Sequence, residues 1–423
     1  MQKPWILFVQ QPEYNLPEYD SLTQEFNTVE YILKRDTDGS GKEAFLEFIS
    51  QHTKEKGPIV GIFGGYPQFA PLGGLNASIL NDPRWPNTIK CICLCSVGYN
   101  GIDLDLLQEK GIHLYNYDDT IQDAGIVAND VADCVLWHVL EGFRKFSSQM
   151  HALRCAGDTI KARSQIVQEE GGAAAAPRFE FGQRWKRGKS IESCRGKRCL
   201  IMGLGRIGVQ CGKKLEAGLG MEIHYTQRNP VSAAKLGISN NDDDNTAFQK
   251  WQFHPIEKLV GGKIGLFDCI VICLPGTPAT KHLIDAEFLA QCKSDVVICN
   301  VGRGFIIDEK AVHEVMKNDP LKIRHIAMDV FHDEPLVEQS LCEDYHFATI
   351  TPHIASSTRA VWESSNRLAL QVLSHGCAST DTRPGSSSGS CPPVEPNPSS
   401  EFTDSSYPCL LYTSDAADDS LRV

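Results

Sequence analysis

The run Cys199-Leu200-Ile201-Met202-Gly203-Leu204-Gly205-Arg206-Ile207-Gly208 sets four strand-like residues directly before a Gly-x-Gly-x-x-Gly turn, and the residues from Gln210 to Ala217 continue as an apparent helix. Each glycine in such a turn has a physical use. Gly203 permits a tight turn, Gly205 lets the backbone approach a pyrophosphate, and Gly208 lets the helix pack on the strand. With Arg206 and Ile207, the helix start offers N–H groups and positive potential to a phosphate. A strand, this turn and a helix in that order predict a dinucleotide-binding βαβ unit.

Downstream of this unit, strands are predicted at Cys199–Met202, Glu222–Tyr225, Cys269–Cys273, Val296–Val301, His325–Met328 and Ala348–Thr351, with helical segments between them. Upstream, strands are predicted at Ile6–Val9, Val29–Leu33, Ile59–Phe63, Ile89–Cys95 and Ile112–Tyr115, and helices at Lys42–Lys54 and Asp103–Lys110. Alternation of this kind gives an α/β chain with two doubly wound parallel sheets, and ligands bind at the loops that follow parallel strands. The chain has 423 residues, more than one compact core spans, so two domains with a cleft between them are expected. A long helix is predicted over Ala124–Phe146, with Val131, Cys134, Val135, Trp137, His138, Val139 and Leu140 crowding one side.

The strand after the glycine turn ends in Thr226-Gln227-Arg228-Asn229-Pro230, where an NAD site would carry an Asp or Glu for the ribose hydroxyls. An arginine there suits the 2'-phosphate of NADP, so NADP(H) is preferred over NAD(H), with Gln227 and Arg228 as its contacts. That preference points to reduction as the working direction.

Three further strand ends supply Arg303, Glu334 and His353. Hydride transfer to a 2-oxo acid needs a cation for the carboxylate and carbonyl, and an acid that protonates the developing alkoxide near neutral pH. Arg303 fits the first demand and His353 the second, while a glutamate bonded to the histidine would orient the ring and favour the imidazolium. Each residue alone reads as an ordinary surface or turn position. Their occurrence after successive strands of one nucleotide-binding unit is what makes a shared site.

Composition narrows the partners. A net charge of -12 argues against nucleic acid and anionic membranes, and no apolar stretch is long enough to span a bilayer, which leaves a small molecule. The chain opens on a strand-like run with no signal peptide, predicting a cytoplasmic protein. Its 16 cysteines are scattered through apolar runs such as Cys91-Ile92-Cys93-Leu94-Cys95, which reads as free buried thiols on one strand face and not as a metal site.

Taken from about Ile59 to Leu373, the sequence resembles the D-isomer-specific 2-hydroxyacid dehydrogenase family. The resemblance implies a flavodoxin-like substrate domain, discontinuous and built from both ends of the folded chain, around a central Rossmann coenzyme domain through which the protein forms a homodimer. The corresponding spans are 1–123 for the first part of the substrate domain, 124–354 for the coenzyme domain, and 355–376 for a return helix beginning near Ser356. The resemblance also implies catalytic roles for Arg303, Glu334 and His353, and a nicotinamide bordered by Pro275, Val301, Arg303 and Asp329, with Asp329 on its carboxamide. Backbone N–H groups of Ser96–Asn100, including Val97 and Gly98, would meet the substrate carboxylate, and Gly64 and Gly65 would line the pocket.

Tyr225–Arg228 is similar to the NADP-selective glyoxylate and hydroxypyruvate reductases, although the family also includes enzymes for bulkier acids such as mandelate. Glu334 argues against formate oxidation, and no regulatory domain of the phosphoglycerate dehydrogenase kind follows. The alternative is a nucleotide-sensing binding protein or corepressor of the same fold. Two stretches depart from the family: an insertion near 157–177, and a tail over 377–423 that reads as disordered and whose segment 409–418 resembles a translated sequencing adapter.

Overall fold

The computed structural model describes residues 3–36, 38–117, 125–167, 182–183, 185–232 and 250–378. It divides into two compact units, Met1–Ala124 with Thr358–Val423, and Gly125–Ser357.

In the first unit, β1 (Trp5–Phe8), β2 (Asn27–Glu30), β3 (Ile59–Gly65), β4 (Cys91–Leu94) and β5 (His113–Tyr115) form a parallel sheet ordered β2-β1-β3-β4-β5. Alternation sorts β4 as the sequence suggests. Cys91, Cys93 and Cys95 pack with Leu370, Leu373 and Cys377, while Ile92 and Leu94 pack on the other face with Phe45, Leu46 and Ile49. The predicted helix after Lys42 spans Ser40–Glu55, and the one after Asp103 spans Leu104–Glu109, where the Asp103 carboxylate caps the first turn by accepting from Leu106 N at 3.0 Å. The return helix runs Arg359–Ala378, starting later and ending further on than Ser356–Leu373, and it packs on β3 and β4 of this unit.

The second strand is a correction. Apolar content suggested Val29–Leu33, but the ladder pairs Asn27–Glu30 with Trp5–Phe8, because β1 itself begins at Trp5 and sets the register. Tyr31 and Leu33 still donate to Phe8 O and Val9 O beyond the strand.

The second unit is a seven-stranded parallel sheet ordered β12-β11-β10-β9-β6-β7-β8. Its strands are β6 (Arg198–Met202), β7 (Glu222–Thr226), β8 (Gln252–Phe253), β9 (Cys269–Ile272), β10 (Val296–Asn300), β11 (Ile323–Met328) and β12 (Ala348–Ile350). The two-residue β8 had no periodicity to betray it. Chain order runs outward from β6 through β7 on one side and resumes at β9 on the other, so the direction of winding reverses between β6 and β9. A crevice at the carboxyl ends of the strands beside such a reversal is where doubly wound sheets take ligands.

Helix Ile126–Arg144 lies against β10, β11 and β12. The predicted continuation to Phe146 fails at Lys145, whose backbone is left-handed at φ 56°, and a separate helix, Phe146–Ala156, begins there. Trp137, expected on the apolar side, is exposed. The insertion begins with helix Thr159–Val167, and its remainder lies outside the described residues, as does the tail beyond residue 378. Among the described residues no helix is long and apolar enough to cross a membrane.

Close packing of Ile126–Arg144 on the sheet depends on Gly142, where an added Cβ would stand 2.8 Å from Val297 Cγ1. Overpacking of this kind costs about 1–3 kcal/mol. Gly142→Val is therefore expected to lower the unfolding free energy by about that amount, measured by urea denaturation; an unchanged midpoint would contradict the packing.

Candidate active site

The glycine turn after β6 separates protein packing from ligand room. Gly203 has φ +95°, and a Cβ there would lie 2.9 Å from Cys273 O; a Cβ on Gly208 would lie 2.2 Å from Gly203 O. Both glycines are required by the fold itself. Gly205 is different: it is exposed, has ordinary backbone angles, and a Cβ there would meet nothing within 4 Å. The space beside it is where a pyrophosphate would approach. Helix Arg206–Leu219 starts at this point, and its N-cap Gly205 has no side chain to cap it, so among the described residues the positive end of its dipole faces open space that suits an anion. At the end of β7, the Thr226 hydroxyl is buried without a hydrogen-bond partner among the described residues. Next to it, Gln227 donates to Asn229 O at 2.6 Å, and Arg228 is exposed and makes no ion pair among the described residues. These features fit a dinucleotide.

The loops after β9 and β10 interlock. Asn300, fully buried at the end of β10, donates through Nδ2 to Arg303 O at 2.9 Å and accepts from Gly302 N at 3.0 Å, fixing the turn that presents Arg303. The Pro275 loop packs so closely that a Cβ on Gly276 would lie 2.6 Å from Arg303 Cγ. Gly304 in turn lets this turn press on the next loop, since its Cβ would overlap the Phe331 carbonyl. Val301 is buried beneath. Burial pulls the Arg303 pKa down, partly offset by the Glu334 charge, but a guanidinium remains a cation at any physiological pH.

Glu334 and His353 meet directly. The Glu334 carboxylate accepts from Phe331 N at 2.9 Å through Oε1 and from His353 Nδ1 at 2.9 Å through Oε2. The glutamate hydrogen bond raises the His353 pKa, outweighing the effect of burial. Burial works to raise that of Glu334, yet the His353 and Phe331 hydrogen bonds outweigh it and the net movement is downward. With Nδ1 committed to the carboxylate, the tautomer is fixed and Nε2 is the position left to exchange a proton with a ligand. His353 itself sits in the left-handed region, φ 53°, uncommon for a residue with a Cβ.

Asp329 is buried. Its carboxylate accepts from Thr351 Oγ1 at 2.6 Å, Ile354 N at 2.9 Å and Ala355 N at 2.8 Å, leaving one acceptor position on Oδ2. Sequence reading missed Thr351, whose hydroxyl has no motif signature of its own.

In the first unit, Gly64 and Gly65 are the last residues of β3, and Val97 and Gly98 follow β4. Gly65 has φ +63°, and a Cβ there would collide with Gln10 Oε1. Gln68, also unanticipated, donates to Ser96 Oγ at 2.7 Å and to Gly98 O, clamping the Ser96–Asn100 loop. A concavity lined by Arg187, Lys317, Leu321 and Phe347 opens at the amino-terminal edge of the second sheet and contains none of these residues.

The profile described as the D-isomer specific 2-hydroxyacid dehydrogenase NAD-binding domain matches residues 172–355. A Saccharomyces cerevisiae protein assigned by name to the 2-hydroxyacid dehydrogenases is 40% identical over 378 residues, covering 87% of this chain and 92% of its own. In fold, the chain is similar to holo D-mandelate dehydrogenase of Rhodotorula graminis, with TM-score 0.69, 24% identity, and coverage of 88% of this chain and 94% of that one. It is also similar to the NADPH-dependent glyoxylate/hydroxypyruvate reductase of Sinorhizobium meliloti solved with NADP and malonate, with TM-score 0.62, 22% identity, and coverage of 89% and 96%. The chain belongs to the D-isomer specific 2-hydroxyacid dehydrogenase family. It is an NAD(P)-dependent oxidoreductase acting on the CH–OH group of a 2-hydroxy acid.

The two kinds of glycine make separable predictions. Gly208→Ala is expected to lower Tm, whereas Gly205→Ala is expected to leave Tm unchanged and weaken NADPH binding about tenfold, read by coenzyme fluorescence; equal effects on both quantities would contradict the assignment. For the acid/base pair, the raised His353 pKa means that the imidazolium–carboxylate contact stabilises the fold below the unfolded histidine value and is lost as pH rises through the folded one. Glu334→Gln should move the His353 titration to lower pH, and the loss of reductase rate on the alkaline side should move down with it. An NMR titration of His353 that does not shift would contradict the pairing.

Proposed function

We propose that this enzyme reduces a small 2-oxo acid to its D-2-hydroxy acid with NADPH, in the manner of a glyoxylate or hydroxypyruvate reductase. The observation that carries the proposal is the His353 Nδ1–Glu334 Oε2 contact at 2.9 Å on loops adjoining the Arg303 turn. When bound, the coenzyme supplies hydride from nicotinamide C4 to C2 of the oxo acid. Arg303 is the cation for the substrate carboxylate and carbonyl, stabilising charge that grows on the carbonyl oxygen. Protonated His353, oriented through Nδ1 by Glu334, gives its Nε2 proton to that oxygen, and solvent reprotonates the ring.

Gly203, Gly205, Arg206, Ile207 and Gly208 would hold the pyrophosphate, and Gln227 and Arg228 the adenosine with its 2'-phosphate. Pro275, Val301 and Asp329 would border the nicotinamide. In the first unit, Gly64, Gly65, Val97 and Gly98 would offer backbone to the substrate, with the loop held by Gln68. NADP(H) preference is supported by the exposed Arg228 where an NAD site carries a carboxylate. Following the family resemblance, the working form is a cytoplasmic homodimer, with no nucleic-acid or membrane partner.

The test is a spectrophotometric assay of NADPH and NADH oxidation against glyoxylate, hydroxypyruvate, pyruvate, 2-oxoisocaproate and phenylglyoxylate. Turnover with NADPH favoured is expected. His353→Ala should lower kcat on the order of a thousandfold, and Arg228→Asp should reduce the NADPH/NADH ratio of kcat/KM by about tenfold or more. Tight coenzyme binding without turnover on any acid would overturn the enzymatic reading.

A further inference from the structure

A line of buried polar side chains runs through the second unit from Asp329 to the start of helix Phe146–Ala156, and the chemistry described above uses only its first member. Thr351 Oγ1 lies 2.6 Å from Asp329 Oδ1, His138 Nε2 lies 3.2 Å from Thr351 Oγ1, and Thr349 Oγ1 lies 2.8 Å from His138 Nδ1. His325 Nε2 then lies 3.0 Å from Thr349 Oγ1, and Lys145 Nζ lies 2.8 Å from His325 Nδ1. His138, His325 and Lys145 are 0%, 2% and 1% exposed.

The carboxylate end of the line fixes its direction. A carboxylate only accepts, so Thr351 donates to Asp329. The Cys134 thiol also interacts with Thr351, but a carboxylate oxygen at 2.6 Å is the stronger acceptor. Having given its one hydrogen away, the Thr351 oxygen must accept from His138 Nε2–H. Burial drives the His138 pKa down to about 4 and that of His325 well below the ordinary histidine value, so both rings are neutral. Neutral His138 then accepts at Nδ1 from the Thr349 hydroxyl, Thr349 accepts from His325 Nε2–H, and His325 accepts at Nδ1 from Lys145. Lys145 also donates to Arg324 O at 3.2 Å and lies over the Phe347 ring, 5.4 Å from its centroid. Every hydrogen shared between members of the line points toward Asp329.

Packing alone does not call for this arrangement. His138 lies on the helix face that also buries Val131, Val135 and Val139, within a core that includes Val297 and Ala327, where an apolar side chain would fill the position without burying polar atoms. We propose that His138, Thr349, His325 and Lys145 form a one-way hydrogen-bond relay that positions Asp329, through Thr351, so that its remaining acceptor site on Oδ2 faces the nicotinamide carboxamide. These are positioning residues, and the proposal rests on the coenzyme reading of Asp329 given above. Asp329 Oδ1 is shared between the Thr351 hydroxyl and Ile354 N. A Thr351 hydroxyl free to rotate would release one of the bonds that fix the carboxylate plane, and with it the direction of the Oδ2 lone pair.

Two readouts test this. In the coenzyme-free protein with isotopically labelled histidine, NMR should find His138 and His325 both as neutral Nε2–H tautomers; a Nδ1–H or charged form of either ring would overturn the relay. The second compares NADPH with its 3-acetylpyridine analogue, which lacks the carboxamide N–H donors. Thr349→Val, which breaks the relay midway with little change of shape, should lower kcat/KM about tenfold with NADPH and less than about twofold with the analogue. Thr349→Ser, which keeps the hydroxyl, should restore the wild-type ratio, and the tautomer measurement on the unaltered protein tests the relay if the valine variant folds poorly. Equal losses with both coenzymes, or none, would overturn the relay. A wild-type enzyme indifferent to the two coenzymes would instead overturn the carboxamide reading of Asp329, an outcome the tautomer result distinguishes from failure of the relay.

Discussion

The Asp329 carboxylate at the end of β11 accepts two backbone N–H groups, from Ile354 and Ala355, and the Thr351 hydroxyl. Those three bonds bracket His353 and bind the segment that carries it to the strand end from which Glu334 departs. The His353–Glu334 contact therefore follows from how β11 and β12 terminate and does not depend on either side chain finding the other unaided. Arg303 is fixed by the same logic one strand earlier, where the buried Asn300 side chain bonds both Gly302 N and Arg303 O. Backbone groups at strand ends would otherwise lack partners, and satisfying them with buried Asn and Asp side chains gives rigid loops.

Glycines set how closely these loops approach one another. At Gly276, Gly302 and Gly304 a Cβ would strike the loop next door, so the ends of β9, β10 and β11 mesh with no side chain between them. Gly205 is the exception, open where its neighbours are crowded. Of the three glycines in the Gly203–Gly208 turn, Gly205 is the one with open space beside it.

Much of this was legible in the sequence because it is local. The Gly203–Gly208 turn, the strand-end positions of Arg303, Glu334 and His353, and the alternation of Cys91, Cys93 and Cys95 each follow from short-range spacing. What the sequence hid depends on register or on contacts between distant segments. The second strand shifted to Asn27–Glu30 because its partner begins at Trp5, and the long helix broke at Lys145 although apolar spacing continued past it. His138 counted toward the apolar side of its helix, yet it is a buried polar group whose partners, Thr349 and Thr351, lie some 210 residues away. No spacing rule links such positions. Gln68 was hidden for the same reason, since its partners Ser96 and Gly98 lie on another strand's loop.

Arg303, Glu334 and His353 are proposed to serve direct hydride transfer from a nicotinamide to C2 of a 2-oxo acid. The most direct measurement follows deuterium from NADPH labelled at both C4 positions into the product of hydroxypyruvate reduction, with the configuration at C2 read at the same time. Direct transfer leaves deuterium at C2 of a D-2-hydroxy acid, with none lost to solvent. Product without the label, or of the L configuration, would contradict it.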